Sequence, residues 1–563
     1  MNRKELISSL KTSPNLDVLV VGAGINGIAT FRDLALNGVK VLLVDSADFA
    51  SGASAASSHM AHGGIRYLEN GEFRLVKEAV QERNRMLENA PHIVRPLPTT
   101  IPIFKIFSGI LNAPLKFFNL LDRPSERGAL VIKIGLIFYD ALTRGQRTVP
   151  KHKVTARKKS LLRWKRLNPK IRYTATYYDG AITEPERLAI ELLLDAEADS
   201  PDAHALNYAR VIGGKLNFVT LKDEITGDVF DVRPRLVINA AGPWIDQTNA
   251  TLGLNARFIG GTKGSHLVLD NPELRAAIGD HEFFFENDDR RIVLIFPLHD
   301  KVLVGTSDLP IEDPDDARCT EEEVDYFLDM IKTVFPDISV TREQIVFRFS
   351  GVRPLEYSQS KTTGQISRDH TIQVLSGVWT GQSYPIYSLV GGKWTSFRAF
   401  AEQVTDKALN YLEMTREKST GALAIGGGRN YERRKDERKQ QLDVISAWTN
   451  LSLDRLGELY QRYGTRVEEV AMFISKGNDM PLASLPSYSR GEIVFLAKQE
   501  KITRLEDLVL RRTHIAKLGM LTLPLLEETS EILADVLGWD DVRTKAELAR
   551  TVDLMARKHQ VTL

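Results

Sequence analysis

The 563-residue sequence predicts an α/β protein whose C-terminal region is all-helical. Three observations carry that expectation. An apolar strand, a glycine turn, a helix and a second apolar strand follow one another in about 30 residues near the N-terminal end. Strand-like and helical patterns then alternate through the middle. Beyond about residue 430 only helical periodicity remains. The 43% hydrophobic and 26% charged residues are an ordinary globular balance, which excludes a disordered chain or a coiled-coil rod. The 74 basic and 73 acidic residues nearly cancel, so no basic excess points to nucleic acid. Cys319 stands alone, which excludes an intrachain disulfide framework and any multi-cysteine zinc or iron–sulfur site. No metal is expected.

The segment Asp17 to Val21 reads as a strand buried on both faces, because Val18 to Val21 are apolar and mostly β-branched without polar alternation. It runs into Gly22-Ala23-Gly24-Ile25-Asn26-Gly27. Ile28 to Leu36 reads as a helix ending at Asn37-Gly38, and Val39 to Val44 as a second strand closed by Asp45. Strands are expected at Leu236–Asn239, His266–Leu269, Arg291–Phe296 and Val302–Gly305, and helices at Glu72–Leu87, Pro185–Ala196 and Glu321–Val334. Gly421 to Gly428, followed by a dense run of charge, suits a linker or domain edge. Past it, Leu453, Leu456, Tyr460 and Tyr463 share one helical face and Gly464 is a stop signal. There is no internal repeat. The N-terminus does not read as a secretory signal, and no stretch reaches the ~18 uncharged apolar residues of a spanning helix.

Strand, glycine turn and helix in this order form a dinucleotide site. Gly22 permits the tight turn, Gly24 lets backbone approach a pyrophosphate, and Gly27 lets helix and strand pack closely. The helix N-terminus directs free N–H groups at the phosphates. Asp45, 18 residues after Gly27, can accept from both ribose hydroxyls and disfavours a 2′-phosphate. The motif alone does not choose between FAD and NAD. Small residues from Ser51 to Ser58 could lie along an extended cofactor, Asn239-Ala240-Ala241-Gly242 ends a strand, and Gly391-Gly392-Lys393 precedes a helical stretch, Trp394 to Leu409. A second helix N-terminus there could face a flavin ring. In this order along one chain, these features favour FAD.

The stretch Gly22 to Asp45, then SSHMAHGGIRYLENGEFRLVKEA from Ser57, NAAGPW from Asn239, KGSH from Lys263, GTSD from Gly305, SGVRPL from Ser350, SRD from Ser367 and GGKWTSFR from Gly391 resemble the FAD-dependent glycerol-3-phosphate dehydrogenases of the aerobic, quinone-linked type. GEIVFLAKQEKITRLEDLVLRRT, from Gly491, is similar to that family's helical domain. The resemblance implies a glutathione-reductase-like FAD-binding fold with an interleaved mixed-sheet substrate domain and a C-terminal all-helical domain. The implied division is 1–100 for the first part of the FAD domain, 101–350 for its remaining strands interleaved with the substrate domain, 351–415 for its last part, 416–430 for a linker and 431–563 for the helical domain. It further implies oxidation of sn-glycerol 3-phosphate to dihydroxyacetone phosphate, with a quinone as electron acceptor and a cytoplasmic location, peripheral on the inner face of the cell membrane. The sequence departs from the family pattern at His59, where a lysine is expected, and across Thr380 to Ser388. These departures leave an erythritol phosphate as an alternative substrate. A glycerophosphate oxidase that reduces oxygen is a further alternative.

The match singles out Arg66, Arg353 and Arg368 for the substrate's phosphate, which a planar, permanently charged guanidinium suits. Pro354 would stiffen the direction of Arg353. Tyr67 and Lys393 would complete the substrate contacts, though Lys393 could serve the flavin instead. Hydride leaves substrate C2 for flavin N5, and the C2 hydroxyl proton needs a base of pKa near neutrality. His62 is the first candidate; its alternative role is to pack on the flavin. His266 is a weaker base candidate that would also contact substrate, and His59 is a third. Arg66, Arg353 and Lys393 complete the catalytic set. Cofactor contacts fall to Gly22, Gly24, Asn26, Gly27, Asp45, Ser57, Ser58, His62, Gly63, Gly64, Ala241, Gly242, Gly392 and Lys393. Gly63 and Gly64 would let backbone approach the isoalloxazine.

Ile101 to Leu121 is apolar and aromatic, with two lysines and no acid; its residues alone read as a core segment, and the resemblance to a quinone-linked family favours an interfacial one. Arg147 to Arg172 holds eleven Lys/Arg and no Asp/Glu, a composition that suits an anionic membrane surface or the steering of an anionic substrate. The C-terminal region shows no catalytic constellation, so packing or a homodimer contact is its expected role.

Overall fold

The computed structural model describes residues 1–65, 72–105, 129–142, 148–286, 292–357, 369–375, 383–477 and 479–563. The first strand runs from Asn15 to Val21, and Val18, Leu19 and Val20 have no accessible surface. Such a strand needs neighbours on both edges and cover on both faces. It lies parallel to Val41–Val44 on one side and to Val229–Asn239 on the other. Ile386–Val390 continues the sheet beyond Val229–Asn239, Ala203–Leu206 beyond Val41–Val44, and Thr371–Leu375 adds an antiparallel edge. A hairpin, Ala209–Lys215 with Phe218–Asp223, pairs with the first half of Val229–Asn239. The helices Ile25–Leu36, Pro185–Asp199 and Phe397–Leu412 share one core with this sheet.

Two helix starts beside the glycine motifs differ from the sequence reading. The helix expected from Ile28 begins at Ile25, because Gly24 in extended backbone is already its N-cap. The helix after Gly391-Gly392 begins at Phe397, because residues 393–396 form a turn closed by the Ser396 N–H on the Lys393 carbonyl, 3.1 Å.

The second sheet is mixed. Its long pair is Val94–Ile103 with Tyr173–Ile182, antiparallel, and the strands Glu282–Glu286, Ile292–Leu298, Lys301–Gly305 and Thr262–Leu269 follow in space. Ile345–Arg353 pairs antiparallel with Thr262–Leu269, and Met60–Ala61 attaches to Tyr173–Ile182. The expected domain boundaries at residues 100 and 350 fall inside strands of this sheet. Alternate side chains point to opposite faces. Val302 and Val304 join the helix Glu321–Val334 in one core, while Leu303, Phe347 and Phe349 join the C-terminal helices in another.

The C-terminal helices include Lys435–Thr449, Leu453–Tyr463, Val467–Ile474, Arg490–Gln499, Leu523–Leu537 and Asp541–Leu554. Leu456, Tyr460 and Tyr463 are buried as the shared face predicts, and Gly464 at φ 58° ends that helix. Leu453 is instead 40% exposed, as the helix's first residue. The region is bolted to the α/β part by buried charge. Arg187 donates to Glu500 at 2.5 Å, Arg511 and Arg512 both pair with Asp48, and Lys517 pairs with Glu186 at 2.5 Å. The glycines read as a linker or domain edge serve close packing. Gly426 to Gly428 are buried, the Gly426 and Gly427 amides donate to Asp195 and Glu191, and a Cβ on Gly427 would meet the Tyr463 carbonyl at 1.9 Å.

Candidate active site

Each glycine of the N-terminal turn has its own physical reason. Gly22 sits at φ 102°, where a Cβ would also meet the Ala240 carbonyl at 2.6 Å. A Cβ on Gly27 would meet the Gly22 carbonyl at 1.9 Å, so helix and strand could not approach. A Cβ on Gly24 would meet Ser54 Oγ at 3.3 Å, and the next amide, Ile25 N–H, donates to that hydroxyl at 2.9 Å. The Asp45 carboxylate accepts from the Ala23 N–H at 2.6 Å and the Ala47 N–H at 2.9 Å, and burial pushes its pKa up to about 6.

Residues distant in sequence close around this turn. Asn26 Nδ2 donates to the Gly391 carbonyl, and a Cβ on Gly392, at φ 92°, would meet that amide nitrogen at 2.3 Å. Asn26 Oδ1 is buried without a hydrogen-bond partner. Trp394 Nε1 donates to the Ser54 carbonyl at 3.0 Å, and the His62 N–H to Thr395 Oγ1 at 3.1 Å. The Ala240 N–H donates to Val21, and Gly242, at φ 57°, has open space where its Cβ would lie. The segments 22–27, 45–58, 62–64, 239–242 and 391–395 therefore meet at one place. Positive-φ glycines, a helix N-terminus, a buried acid and an orphaned buried acceptor there fit a dinucleotide cofactor.

Gly63 has a different reason from the one expected. A Cβ there would meet Tyr139 Oη at 1.8 Å, so the glycine makes room for a tyrosine. Its N–H donates to Asp179 at 2.8 Å, Tyr139 donates to the same carboxylate at 2.9 Å, and Arg83 Nη1 donates to Tyr139 Oη at 2.6 Å. No local pattern announces this buried cluster, because its members come from a loop, two helices and a strand. Gly64 lies at φ 73°.

Arg353 ends its strand opposite Thr262. Its guanidinium donates to Asp308 at 3.0 Å, to Thr306 Oγ1 at 2.9 Å and to the Ser307 carbonyl at 3.0 Å. A Cβ on Gly264 would meet Nη2 at 2.3 Å, so this glycine accommodates the arginine. Gly264, Thr306 and Asp308 belong to the KGSH and GTSD motifs and could have been read as arginine supports from them. His266, two residues on from Gly264, stacks on Phe349 with ring centroids 4.9 Å apart. Its Nε2 is 2.9 Å from Ser58 Oγ, and its Nδ1 is buried without a partner. Burial, with Arg353 and Lys517 nearby, pushes its pKa down to about 3, so the ring is neutral.

His59 is fully committed within the fold. Its Nδ1 lies 3.0 Å from the Ile182 carbonyl and so carries the proton, leaving Nε2 to accept from Lys517 at 3.4 Å. Burial and the Lys517 charge hold its pKa well below the usual value, and both nitrogens are engaged, which removes it as a general base. The neighbouring Ser57 accepts from the His59 N–H at 3.3 Å. Lys393 is half-buried beside Gly392. Arg66, Tyr67 and Arg368 lie outside the described residues, as do residues 106–121 of the apolar stretch, Arg147 and residues 380–382. Asp369, next to Arg368, pairs with Arg74.

The family described as FAD dependent oxidoreductase matches residues 17–405, and the C-terminal domain of alpha-glycerophosphate oxidase matches residues 418–544. The chain is 31% identical over 565 residues to a glycerol-3-phosphate dehydrogenase of Synechocystis, covering 96% of each chain. It is 28% identical to an aerobic glycerol-3-phosphate dehydrogenase of Staphylococcus haemolyticus over 530 residues, 91% of this chain and 88% of that one. Its fold is similar to the glycerol-3-phosphate dehydrogenase of Bacillus halodurans complexed with FAD, with TM-score 0.75, 22% identity and coverage of 98% and 97%. The L-alpha-glycerophosphate oxidase of Mycoplasma pneumoniae with FAD bound shares the fold over 73% of this chain and 98% of that one, with TM-score 0.53 and 19% identity. With both parts of its length matched in this way, the chain belongs to the FAD dependent oxidoreductases, in the family of the glycerol-3-phosphate dehydrogenases.

Proposed function

We propose that the chain oxidises sn-glycerol 3-phosphate to dihydroxyacetone phosphate and passes the electrons to a quinone. The observation that carries this reading is the convergence of Arg353 and His266, one strand pair apart, with His266 joined through Ser58 to the loop that lies against the dinucleotide turn. When bound, FAD supplies a two-electron acceptor for the hydride of substrate C2. Arg353, with Arg66, Arg368 and Tyr67, holds the phosphate, and Asp308 with Thr306 fixes the direction of the Arg353 fork. His62, whose backbone is tied to Thr395, takes the proton of the C2 hydroxyl. The neutral His266 orients a substrate hydroxyl by hydrogen bonding, and Lys393 faces the cofactor. Gly22, Gly24, Gly27 and Asn26 take the pyrophosphate and Asp45 the ribose, with Ser57, Gly64, Ala241, Gly242 and Gly392 along the remainder.

A peripheral, membrane-surface location is supported by the segment 151–172. Its ten Lys/Arg are all exposed, while Ser160, Trp164, Leu167 and Ile171 turn inward. Arg166 alone of these ten pairs with an acid among the described residues, Glu273 at 2.5 Å, and Leu162 is 69% exposed beside them. A basic face carrying an exposed leucine suits an anionic lipid surface. No helix among the described residues is long and apolar enough to cross a membrane. The oxygen-reducing alternative is favoured by the likeness to a glycerophosphate oxidase.

The test is anaerobic mixing of the FAD-loaded chain with glycerol 3-phosphate and, separately, an erythritol phosphate. Glycerol 3-phosphate should bleach the flavin fastest. A flavin that stays oxidised with every polyol phosphate overturns the reading. Reoxidation by a quinone analogue without peroxide release supports the dehydrogenase, whereas peroxide at the turnover rate supports the oxidase. Co-sedimentation with anionic but not neutral vesicles checks the location.

A further inference from the structure

Away from this site, three side chains of metal-ligating type meet where three parts of the molecule join. Glu184 is the N-cap of the helix Pro185–Asp199 in the α/β part. His299 lies in the two-residue turn between the strands Ile292–Leu298 and Lys301–Gly305 of the mixed sheet. His514 follows the buried Arg511-Arg512 pair of the C-terminal region. One ligand atom from each lies within 4.8 Å of the others. Glu184 Oε1 is already 2.9 Å from His514 Nε2, and the rings of His299 and His514 are 5.0 Å apart.

The surroundings suit an ion reached from solvent. Glu184 is buried, His514 is half-buried and His299 is exposed, so one side of the triangle is open to water. His299 has φ 52°, a turn position usually given to Gly, Asn or Asp, and its carbonyl accepts from Arg275 Nε at 2.8 Å, which anchors the backbone beneath the ring. The nearby cations are Arg95, beside His299, and Arg187, whose charge is met by Glu500. Asp300 adjoins His299 and pairs with Lys301 at 2.9 Å. Two imidazoles and one carboxylate are the donor set of three-ligand zinc sites with an open position. A tetrahedral ion about 2.1 Å from each donor holds the donors about 3.4 Å apart, so no donor pair need close by more than ~1.4 Å.

We propose that Glu184, His299 and His514 form a site for a divalent transition-metal ion that staples the C-terminal helices to the FAD-binding part and the mixed sheet. The ion's role is structural. It bridges chain segments separated by 115 and 215 residues and shares no residue with the substrate or cofactor sites.

The test uses the tag-free, FAD-loaded chain, stripped with chelator and titrated with Zn²⁺ or Co²⁺ alone. One ion per chain, visible Co²⁺ bands to the red of the flavin and a raised melting temperature are expected. His299→Ala, at an exposed position, should keep its flavin and its rate of substrate bleaching, yet lose metal affinity by more than the roughly 100-fold that outer-shell partners alone can reach. Glu184→Gln should weaken the ion in the same direction with the side-chain shape kept. Absence of stoichiometric Zn²⁺ and Co²⁺ binding by the wild-type chain overturns the proposal, as does unchanged affinity in the His299→Ala/His514→Ala pair.

Discussion

Ser58 Oγ and His266 Nε2 lie 2.9 Å apart although 208 residues separate them. The contact joins the loop beside the dinucleotide turn to the strand Thr262–Leu269, on which the proposed substrate contact His266 lies. Because His266 Nδ1 is already buried without a partner, Ser58 makes the ring's one hydrogen bond among the described residues. Ser58→Ala should therefore destabilise the FAD-loaded protein by about 1–3 kcal/mol, the cost of an unsatisfied buried group. Thermal melting reads this, and an unchanged midpoint would mean that the ring finds another partner.

Arg353→Ala should raise KM for glycerol 3-phosphate roughly 10- to 100-fold, from the ~1.5–3 kcal/mol of a hydrogen bond to a charged group. Flavin content should stay normal, since Arg353 bonds to Thr306, Ser307 and Asp308 of the mixed-sheet part. Steady-state kinetics beside the flavin absorbance of the purified variant separate the two effects. Flavin lost in step with activity would show that the arginine serves the cofactor instead.

Substitutions in the glycine turn should act on the cofactor. Gly22→Ala meets both a strained φ of 102° and the Ala240 carbonyl at 2.6 Å. Gly24→Val adds bulk toward Ser54 Oγ, 3.3 Å from the first Cβ. Both variants should purify with little or no bound flavin, measured as absorbance per chain. A full complement in Gly24→Val would refute the assignment of the turn.

Glu282 gives the pH dependence a sign. It is fully buried, Thr99 Oγ1 donates to its Oε2 at 2.9 Å, and its Oε1 has no partner. Burial pushes its pKa up to about 8. The folded state thus keeps a proton that the unfolded chain releases at ordinary glutamate pH. The contribution to stability is full below that unfolded value and is lost as pH rises through about 8, at up to ~1.4 kcal/mol per pH unit. Glu282→Gln cannot ionise, so its melting temperature should fall less than the wild type's from about pH 6 to pH 9. Parallel curves for the two proteins would locate the titration elsewhere.

Arg512→Ala should cost about 3–5 kcal/mol, because it leaves a buried carboxylate short of a partner. Asp48 has no accessible surface, and Arg512 Nη1 and Nη2 reach its two oxygens at 2.6 and 3.0 Å. Asp48 is three residues from Asp45, so the variant should also release FAD at lower temperature. Flavin fluorescence during melting follows that release.

The glycine turn, its flanking strands and Asp45 were legible in the sequence because the physics there is local. Turn conformation, helix start and strand burial are set within about 30 residues. The helix at Glu321–Val334 was legible for the same reason, with its apolar stripe and the Thr320/Glu323 capping box inside one segment. Chain order did not show what distant parts do to one another. Gly63 makes way for Tyr139, and Gly427 for the Tyr463 carbonyl, where the sequence reading has a flavin contact and a linker or domain edge. His59 is spent on the Ile182 carbonyl and Lys517, a lysine 458 positions away. The C-terminal helices carry no catalytic signature of their own, yet Arg511, Arg512 and Lys517 reach buried acids in the α/β part. Backbone conformation is written in neighbouring residues, whereas the fate of a buried charge depends on which opposite charge the fold delivers to it.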